Sequence, residues 1–369
     1  MHKVLFLTNH PSPHMADLFR AVHRHPRMRL HVLFASRQDP GRSWGTHLEG
    51  VPCEVLPRLP LGTRLPLNPT APARVLRYAR DGYLPIVCVY TMPASIMSML
   101  LLALARRPWL LMGEAPGQDY RARGAKAALR DSVVRLLAGA SSGVLAVGRS
   151  GVGAYERLRP GARVAHFQYY EAADRFRSIH RNGPALGRPP AFLVCGALCR
   201  RKAPELALQA SLKLLQMGLA HRMIFAGSGP LEAGLKDWCR ARGCSHVEFR
   251  GELDWHRRHE AFRDADVLVH PAVFDGWGMV VPEALAAAMP VVTTESCGAG
   301  VDFIRDGENG FLLPAPLSAD SLAEKMAVFV RDRALAAPMA ALARQSVEEW
   351  TPEAGAQRLC EILEGWFPG

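Results

Sequence analysis

"FDGWGMVVPEALAAAMPVVTTE", residues 274–295, has the pattern of a turn, a helix and a strand. The apolar run VLVHPA before it predicts a strand, and DGWG follows as the turn. Pro282 lies in the first turn of the predicted helix, a position where proline is tolerated. PVVTTE then predicts another strand. A strand, helix and strand in this order are typical of a parallel α/β sheet.

The same alternation runs through both halves of the chain. Each half contains short apolar runs separated by segments with helical periodicity. Near-continuous apolar strands are expected where helices cover both faces of a parallel sheet. At 369 residues the chain also exceeds the usual size of a single hydrophobic core. We therefore predict an α/β fold of two Rossmann-like, doubly wound parallel-sheet domains that face a central cleft.

The predicted domains are residues 1–180 and 181–369. The boundary falls in SIHRNGPALGRPP (178–190), which is rich in glycine, proline and arginine and lacks periodicity. The last helical segment, TPEAGAQRLCEILEGWF, could pack on either domain. Ligands are expected at the carboxyl ends of the strands, one ligand in each domain.

Composition predicts a cytoplasmic protein without structural zinc. The eight cysteines are scattered and show no zinc-ligand spacing, which favours reduced thiols. The first residues lack an apolar run long enough for a signal peptide. Residues 87–105 carry no charge, but Pro93 divides them into a β-branched part and a Met/Leu-rich part. A buried strand and helix explain this division better than a membrane span.

Charge is distributed unevenly along the chain. Residues 1–180 contain 25 Lys/Arg and 11 Asp/Glu, a net charge of +14, whereas residues 181–369 carry −3. A basic N-terminal half suits an anionic partner, such as a phosphorylated acceptor or an acidic membrane surface. Nucleic acid is disfavoured because the arginines are not clustered with aromatic residues.

Three turns at strand ends are candidate ligand sites in the C-terminal half. Beyond Gly278, the N–H groups of Met279 and Val280 could bind phosphate, while Glu283 could reach a ribose and Asp275 a sugar hydroxyl. Purely structural roles, a first-turn acid and a turn former, explain the two acids equally well. The second turn contains three consecutive cations, Arg200 to Lys202. The third contains a Gly-Ser-Gly sequence that ends at Gly229.

Five segments of the C-terminal half follow one another in this order: GALCRRKAPELAL, FAGSGPL, VEFRGEL, ADVLVHPAVFDGWGMVVPEALAAAMPVV and GAGVDFIRDGENGFLLP. In this order they resemble the group 1 (family 4) retaining nucleotide-sugar glycosyltransferases of the GT-B fold. The resemblance covers residues 190–366 and, more faintly, the N-terminal half. The family signature is two glutamates separated by seven residues. Here the first is Asp275 and the second is Glu283, so the spacing is kept and the first side chain is one methylene shorter.

The resemblance implies a role for each matching residue. Lys202 matches the family's lysine that binds the donor diphosphate. The arginine that often precedes this lysine in the family is replaced by Ala197 here, and Arg201 would take over its contact with the phosphates. Asp275 would contact the sugar and Glu283 the ribose. The backbone of Arg250, Gly251 and Leu253 would contact the base. The turns that contain Gly229 and Gly278, Met279 and Val280 would lie beneath the phosphates.

The implied reaction is a hexosyl transfer with retention of configuration, from a UDP- or GDP-sugar, without a cofactor or metal. Arginine, lysine and helix dipoles would neutralise the leaving diphosphate. The implied acceptor is a small molecule, a lipid-linked molecule or a glycan. Acceptors of such enzymes are often lipid-linked or phosphorylated, so a basic N-terminal domain would hold the enzyme at the inner face of an anionic membrane.

On the acceptor side the candidates are His10 and Glu114, which follow predicted strands. The polar loop 35–50 is a candidate for acceptor selection, although a disordered surface loop is an equally good interpretation. Two alternatives to transfer remain at this stage: a nucleotide-sugar 2-epimerase of the same fold, and a non-catalytic two-lobed binding protein.

Overall fold

The computed structural model describes residues 1–37, 48, 50–59, 67–116, 125–179 and 188–368. It divides the chain into two compact units. The first unit contains Met1–Ala172 together with Trp350–Gly369, and the second is Ala173–Glu349. The predicted division at 180/181 falls beside 180–187, which lie outside the described residues, as do 38–47 of the predicted acceptor loop.

The first unit has a seven-stranded sheet in the order β3-β2-β1-β4-β5-β6-β7, with every paired strand parallel. Its elements are β1 (His2–Thr8), α1 (Pro13–Arg24), β2 (Met28–Phe34), β3 (Cys53–Val55), α2 (Ala71–Arg80), β4 (Leu84–Cys88), α3 (Pro93–Leu104), β5 (Leu110–Gly113), α4 (Ala125–Ala140), β6 (Gly143–Ala146), α5 (Gly148–Leu158) and β7 (Val164–His166). The strand order reverses between β1 and β4, which is where a doubly wound sheet opens a crevice at its carboxyl edge.

The second unit has a six-stranded parallel sheet in the order β10-β9-β8-β11-β12-β13. Its elements are α6 (Asp174–Arg177), β8 (Ala191–Cys195), α7 (Pro204–Gln216), β9 (Arg222–Ala226), α8 (Glu232–Ala241), β10 (Val247–Gly251), α9 (His259–Arg263), β11 (Val267–His270), α10 (Val280–Ala286), β12 (Val291–Thr294), α11 (Gly298–Phe303), β13 (Gly310–Leu313), α12 (Ala319–Arg331) and α13 (Ala336–Ser346). Here the order reverses between β8 and β11, so the loops that follow these two strands meet at the crevice.

The predicted α/β fold with two parallel sheets is confirmed, and the strands predicted at VLVHPA and PVVTTE are present as β11 and β12. One strand was missed. The edge strand β3 is only three residues long and half exposed, so its sequence lacks the buried apolar run that marks the other strands.

The division predicted at Pro93 is also confirmed, because β4 ends at Cys88 and α3 begins at Pro93. Within the described part of the chain, no helix combines the length and apolar character needed to cross a bilayer.

The last helix, α14 (Pro352–Trp366), is part of the first unit. It packs along α1, where Arg24 and Glu353 form an ion pair of 2.9 Å. At the sheet, the Trp366 ring lies so close to Gly143 that a Cβ there would overlap it. The indole N–H of Trp350, just before the helix, donates to the Tyr169 carbonyl at 2.7 Å. Residues distant in sequence therefore complete the first unit.

Candidate functional site

Arg201, Lys202 and Asp275 meet at the switch point of the second sheet. The two cations lie in a single 3₁₀ turn after β8, and Asp275 follows the neighbouring strand β11. A backbone hydrogen bond of 3.2 Å from Phe274 N–H to the Arg201 carbonyl joins the two loops. The topology, rather than closeness in sequence, thus brings these charges together.

Asp275 is 7% exposed, and both of its carboxylate oxygens are engaged. Arg201 Nη1 lies 3.3 Å from Oδ1, and Lys202 Nζ forms an ion pair with Oδ2. His270, the last residue of β11, places Nε2 at 3.0 Å from the same Oδ2. One carboxylate therefore pairs with two cations, and the group keeps a net charge of +1.

Protonation equilibria follow from this arrangement. Burial alone would raise the pKa of Asp275, but Lys202, His270 and Arg201 together hold that pKa well below its usual range. Burial, reinforced by Lys202, lowers the pKa of His270. The imidazole is therefore neutral at pH 7, and its Nε2 carries the proton that it donates to Asp275.

The turn after Asp275 requires glycine at position 278. Gly278 has φ +89°, and a Cβ there would lie 2.5 Å from Cys297 Sγ and 3.0 Å from Asp275 Oδ2. Met279 follows as the residue before α10, and Val280 begins that helix. Because α10 is only seven residues long, the cations of the neighbouring loop are the stronger attraction for an anion at this turn.

Glu283, in the middle of α10, is fully buried. Its carboxylate forms an ion pair with Arg258, whose guanidinium lies 3.5 Å from the ring centroid of Trp255. A ribose could reach Glu283 only if this ion pair opened. This partner could not be predicted, since Arg258 stands in a charged segment, DWHRRHEAF, that has the composition of a solvated loop.

The Gly-Ser-Gly turn packs directly on the loop of Arg201 and Lys202. Leu198 N–H donates to the Ser228 carbonyl at 2.8 Å, and a Cβ on Gly229 would lie 2.5 Å from the Leu198 carbonyl oxygen. Next to it, Gly227 N–H donates to the Gly251 carbonyl at 2.7 Å. The predicted base-binding segment is therefore adjacent to the predicted phosphate-binding segment.

Arg250 and Leu253 flank Gly251 in this base-side segment, which begins at the end of β10. The Arg250 guanidinium forms ion pairs with Glu248 at 2.8 Å and with Asp264 at 2.7 Å. Its side chain is thus held by acids, and a contact with a base would come from the backbone, as expected from the sequence.

In the first unit, His10 follows β1 and Glu114 follows β5, so both lie at the carboxyl edge of that sheet. Burial raises the pKa of Tyr169 well above its usual range, and the Glu114 carboxylate, which accepts a hydrogen bond from the hydroxyl, adds to the rise. Tyr155 is fully buried, and its hydroxyl has no hydrogen-bond partner among the described residues. Burial raises the pKa of Tyr155 well above its usual range, and the nearby Tyr90 and Glu114 add to the rise.

The side chains of His270, Asp275 and Cys297 offer an imidazole, a carboxylate and a thiol whose ligand atoms lie within 4.8 Å of one another. A metal ion there would have to displace Lys202 and Arg201 from the carboxylate. Burial also raises the pKa of the Cys297 thiol to about 12, which disfavours the thiolate that binds metals. The electrostatics therefore suit an anion better than a divalent cation.

Sequence reasoning missed His270, Arg258 and Tyr155. His270 ends an apolar strand five residues before Asp275, and this position at a strand's carboxyl end is a signal that could have identified it. No comparable signal marks Tyr155, because a tyrosine inside a helix usually packs in the core.

The C-terminal half is similar to known proteins. Residues 176–346, which contain all the donor-side candidates, match the family model of glycosyl transferases group 1. An uncharacterized glycosyltransferase of Methanocaldococcus jannaschii is 34% identical over 133 residues, which are 36% of this chain and 33% of that protein. A GDP-mannose-dependent alpha-(1-6)-phosphatidylinositol monomannoside mannosyltransferase of Mycobacterium tuberculosis is 28% identical over 221 residues, 57% of this chain and 56% of its own.

Among solved structures, Anabaena HepE in complex with UDP superposes with a TM-score of 0.74 at 18% identity, over 99% of this chain and all of that one. The fold is therefore that of the GT-B glycosyltransferases. The alignments with the two curated relatives span between a third and just over half of those relatives' length.

Proposed function

We propose that this chain is a glycosyltransferase of the group 1 type that moves a hexose from a nucleotide-diphosphate sugar to an acceptor hydroxyl, with retention of anomeric configuration and without a metal. The observation that carries the proposal is the meeting of Arg201, Lys202 and Asp275 at the β8/β11 switch point. These residues lie inside the segment that matches the group 1 family.

Donor binding would begin at the two cations. The diphosphate takes over Arg201 and Lys202 from the Asp275 carboxylate, because its two phosphates carry more charge than one carboxylate. Arginine provides a bidentate fork and lysine a point charge, so together they can neutralise the diphosphate as it leaves. The turn at Gly278 lets the backbone of Met279 and Val280 approach the same phosphates.

The carboxylates would then hold the two sugars of the donor. Asp275, released from its cations, accepts hydrogen bonds from hydroxyls of the transferred sugar. Glu283 binds the ribose after its ion pair with Arg258 opens. The base lies against the backbone of Arg250, Gly251 and Leu253.

The acceptor side would be the carboxyl edge of the first sheet, with His10 and Glu114 contacting the acceptor. The acceptor hydroxyl attacks the anomeric carbon on the face that the nucleotide leaves, and a donor phosphate oxygen takes its proton. Acceptors of a lipid-linked or glycan type suit the +14 charge of residues 1–180. All eight cysteines are free, which supports a place in the cytoplasm, at the inner face of a membrane.

Thermal unfolding in the presence of UDP-, GDP-, ADP- and dTDP-sugars tests the donor assignment. One of them should raise the melting temperature by mass action, since only the folded protein binds it. HepE was solved with UDP and the mycobacterial relative is named as GDP-mannose-dependent, so we expect a UDP- or GDP-sugar. Lys202→Gln should abolish the shift, whereas Lys213→Gln on α7, outside the site, should keep it.

The reaction itself is tested by incubating the preferred donor with and without acceptor extracts and following the anomeric proton by NMR. An α-linked donor should give an α-linked product. Conversion of the donor to an epimer without any acceptor would identify the epimerase reaction instead. If none of the four nucleotide sugars raised the melting temperature, the proposal would be refuted.

A further inference from the structure

Helix α8 ends in a turn that brings two cysteines together. Gly243, just after the helix, has φ +60°, and its N–H donates to the Arg240 carbonyl at 3.3 Å. The next N–H, that of Cys244, donates to the Cys239 carbonyl at 3.1 Å. A left-handed glycine with these two hydrogen bonds is a Schellman motif, in which the side chains of the residues joined by the longer-range bond normally contact each other. The motif therefore directs the two thiols toward one another.

The separation of the two residues suits a covalent bond between them. The hydrogen bond joins the backbone of Cys244 to that of Cys239, so covalent geometry keeps their α-carbons within about 7 Å, the longest separation that a disulfide can bridge. Burial raises the pKa of the Cys239 thiol to about 12, and the charge of Cys244 and a hydrogen bond with its side chain add to the rise. The two sulfur atoms are thus close enough to interact.

The two thiols differ in exposure. Cys239 is 7% exposed and belongs to the hydrophobic core of the second unit, whereas Cys244 is half-buried and packs against that core. A reagent from solution therefore reaches Cys244 first. Because the raised pKa of Cys239 keeps its thiolate scarce at pH 7, its own attack on a sulfur is the slower step.

We propose that Cys239 and Cys244 are a redox-sensitive pair that a low-molecular-weight disulfide, glutathione disulfide or a similar molecule, converts to an intramolecular disulfide. The Cys244 thiolate attacks one sulfur of glutathione disulfide, so that a mixed disulfide forms and one glutathione thiolate leaves. The Cys239 thiolate then attacks the Cys244 sulfur and releases the second glutathione. The thiol protons and the electron pair pass to the two glutathione molecules, which are reduced as the protein pair is oxidised.

The disulfide would fix one edge of the second sheet. β10 is an edge strand of that sheet, begins three residues after Cys244 and is only partly buried. Partly exposed edges are where a fold opens locally, and a covalent bond between α8 and the turn before β10 limits such opening. This inference rests on the second unit alone and stands whether or not the proposed transfer reaction is correct.

Peptide mapping tests the bond directly. Trypsin cleaves after the cations around both cysteines, Lys236, Arg240, Arg242 and Arg250. The cysteines therefore fall in separate peptides, 237–240 and 243–250. The full chain is equilibrated with glutathione disulfide, its remaining thiols are blocked with iodoacetamide, and the digest is analysed by mass spectrometry. The two peptides should appear linked and should separate in dithiothreitol. Two blocked peptides, or a glutathione adduct on Cys244 that never links, would overturn the proposal.

Variants test whether the turn directs the reaction. Cys239→Ala and Cys244→Ala should each abolish the linked species, and Cys199→Ala, which removes another half-buried thiol of the unit, should keep it. Gly243→Val should lower the linked fraction several-fold, because a β-branched residue rarely adopts φ +60°.

Gly218→Val is the matched control for the turn. Gly218 has φ +75° and ends α7 in the same motif, with its own N–H donating to Leu215 and the Leu219 N–H to Leu214, both at 2.9 Å. This variant strains an equivalent turn away from the cysteines and should link like the parent. Equal linking in Gly243→Val and the parent would overturn the geometric basis of the proposal.

Amide hydrogen exchange measures the effect on the sheet edge. Exchange over residues 243–250 should slow several-fold in the oxidised chain, while exchange in β13, the strand at the opposite edge, should not change. Unchanged exchange over 243–250 in a chain that is fully linked would show that the bond does not fix the edge.

Discussion

Replacing Asp275 by asparagine should weaken the second unit and at the same time strengthen its binding of diphosphate. Asparagine has the same shape but no charge, so Arg201 and Lys202 lose their shared anionic partner. Free of the carboxylate, the two cations become available to an added anion. Stability and anion binding should therefore change in opposite directions.

The size of the first effect follows from burial. Breaking a buried ion pair by removing one partner costs about 3–5 kcal/mol. For a unit the size of Ala173–Glu349, each kcal/mol corresponds to roughly 2–4 °C in melting temperature. We therefore expect the transition of this unit to fall by about 6–12 °C at the lower limit of that cost.

The pH dependence has a definite sign. Because the folded pKa of Asp275 is lowered, its stabilising contribution is present above the unfolded pKa of about 3.9 and is lost as pH falls through the folded value. The difference between the parent and Asp275→Asn should thus stay constant through the neutral range and shrink only in strong acid.

Thermal unfolding is measured with increasing pyrophosphate, which imitates the donor diphosphate without the sugar. Pyrophosphate should raise the melting temperature of Asp275→Asn more than that of the parent. Asp266→Asn is the matched control, because Asp266 is also a nearly buried carboxylate, accepting from Arg188 at 3.1 Å and Ala191 N–H at 2.8 Å, but at the opposite edge of the sheet. The control should lose stability and respond to pyrophosphate like the parent. Parent-like stability and parent-like response in Asp275→Asn would refute the reasoning.

Three further outcomes are expected. Gly278→Ala should lower the free energy of unfolding, measured with urea, by about 1–3 kcal/mol, because the new Cβ would overlap its neighbours. Gly218→Ala is the control: Gly218 also has a positive φ, +75°, but open space around it, so its loss should be smaller. Equal losses would exclude steric overlap as the cause. Arg258→Leu should cost about 3–5 kcal/mol because Glu283 is left charged and buried, and adding Glu283→Gln should recover part of it, as a double-mutant cycle would show. Burial lowers the pKa of His246, so stability should fall as pH drops below about 6.5. His246→Asn should make the urea midpoint fall less between pH 7.5 and pH 5 than in the parent, and part of the fall should stay because burial also lowers the pKa of His221 and of His270.

Periodicity predicted the two sheets because parallel strands covered on both faces must be continuous apolar runs. VLVH and AFLVC carry that signal. Pro93 likewise marks the residue at which the helix α3 begins. β3 carries none, since an edge strand of three half-exposed residues has the composition of a loop. Strands with a buried apolar run could be predicted from their own sequence. The strand β3 could not, because only its position at the edge of the sheet makes it a strand.

The candidate site divides in the same manner. Arg201, Lys202 and Asp275 could be placed at strand ends from their neighbours in sequence, and the reversal of strand order brings them together. The ion pair of Glu283 with Arg258 depends on how a loop before α9 packs against α10, which no sequence pattern encodes. The roles of these residues in binding a donor remain predictions.

Helix α14 has a consequence for how the protein is made. The first unit needs residues 350–368, which the ribosome adds only after the whole of the second unit. The second unit is continuous in the chain and could fold during synthesis, while the first unit would wait with the α14-facing sides of α1 and β6 uncovered. A chain truncated before α14 would therefore leave the first unit incomplete, although most of that unit was synthesised first.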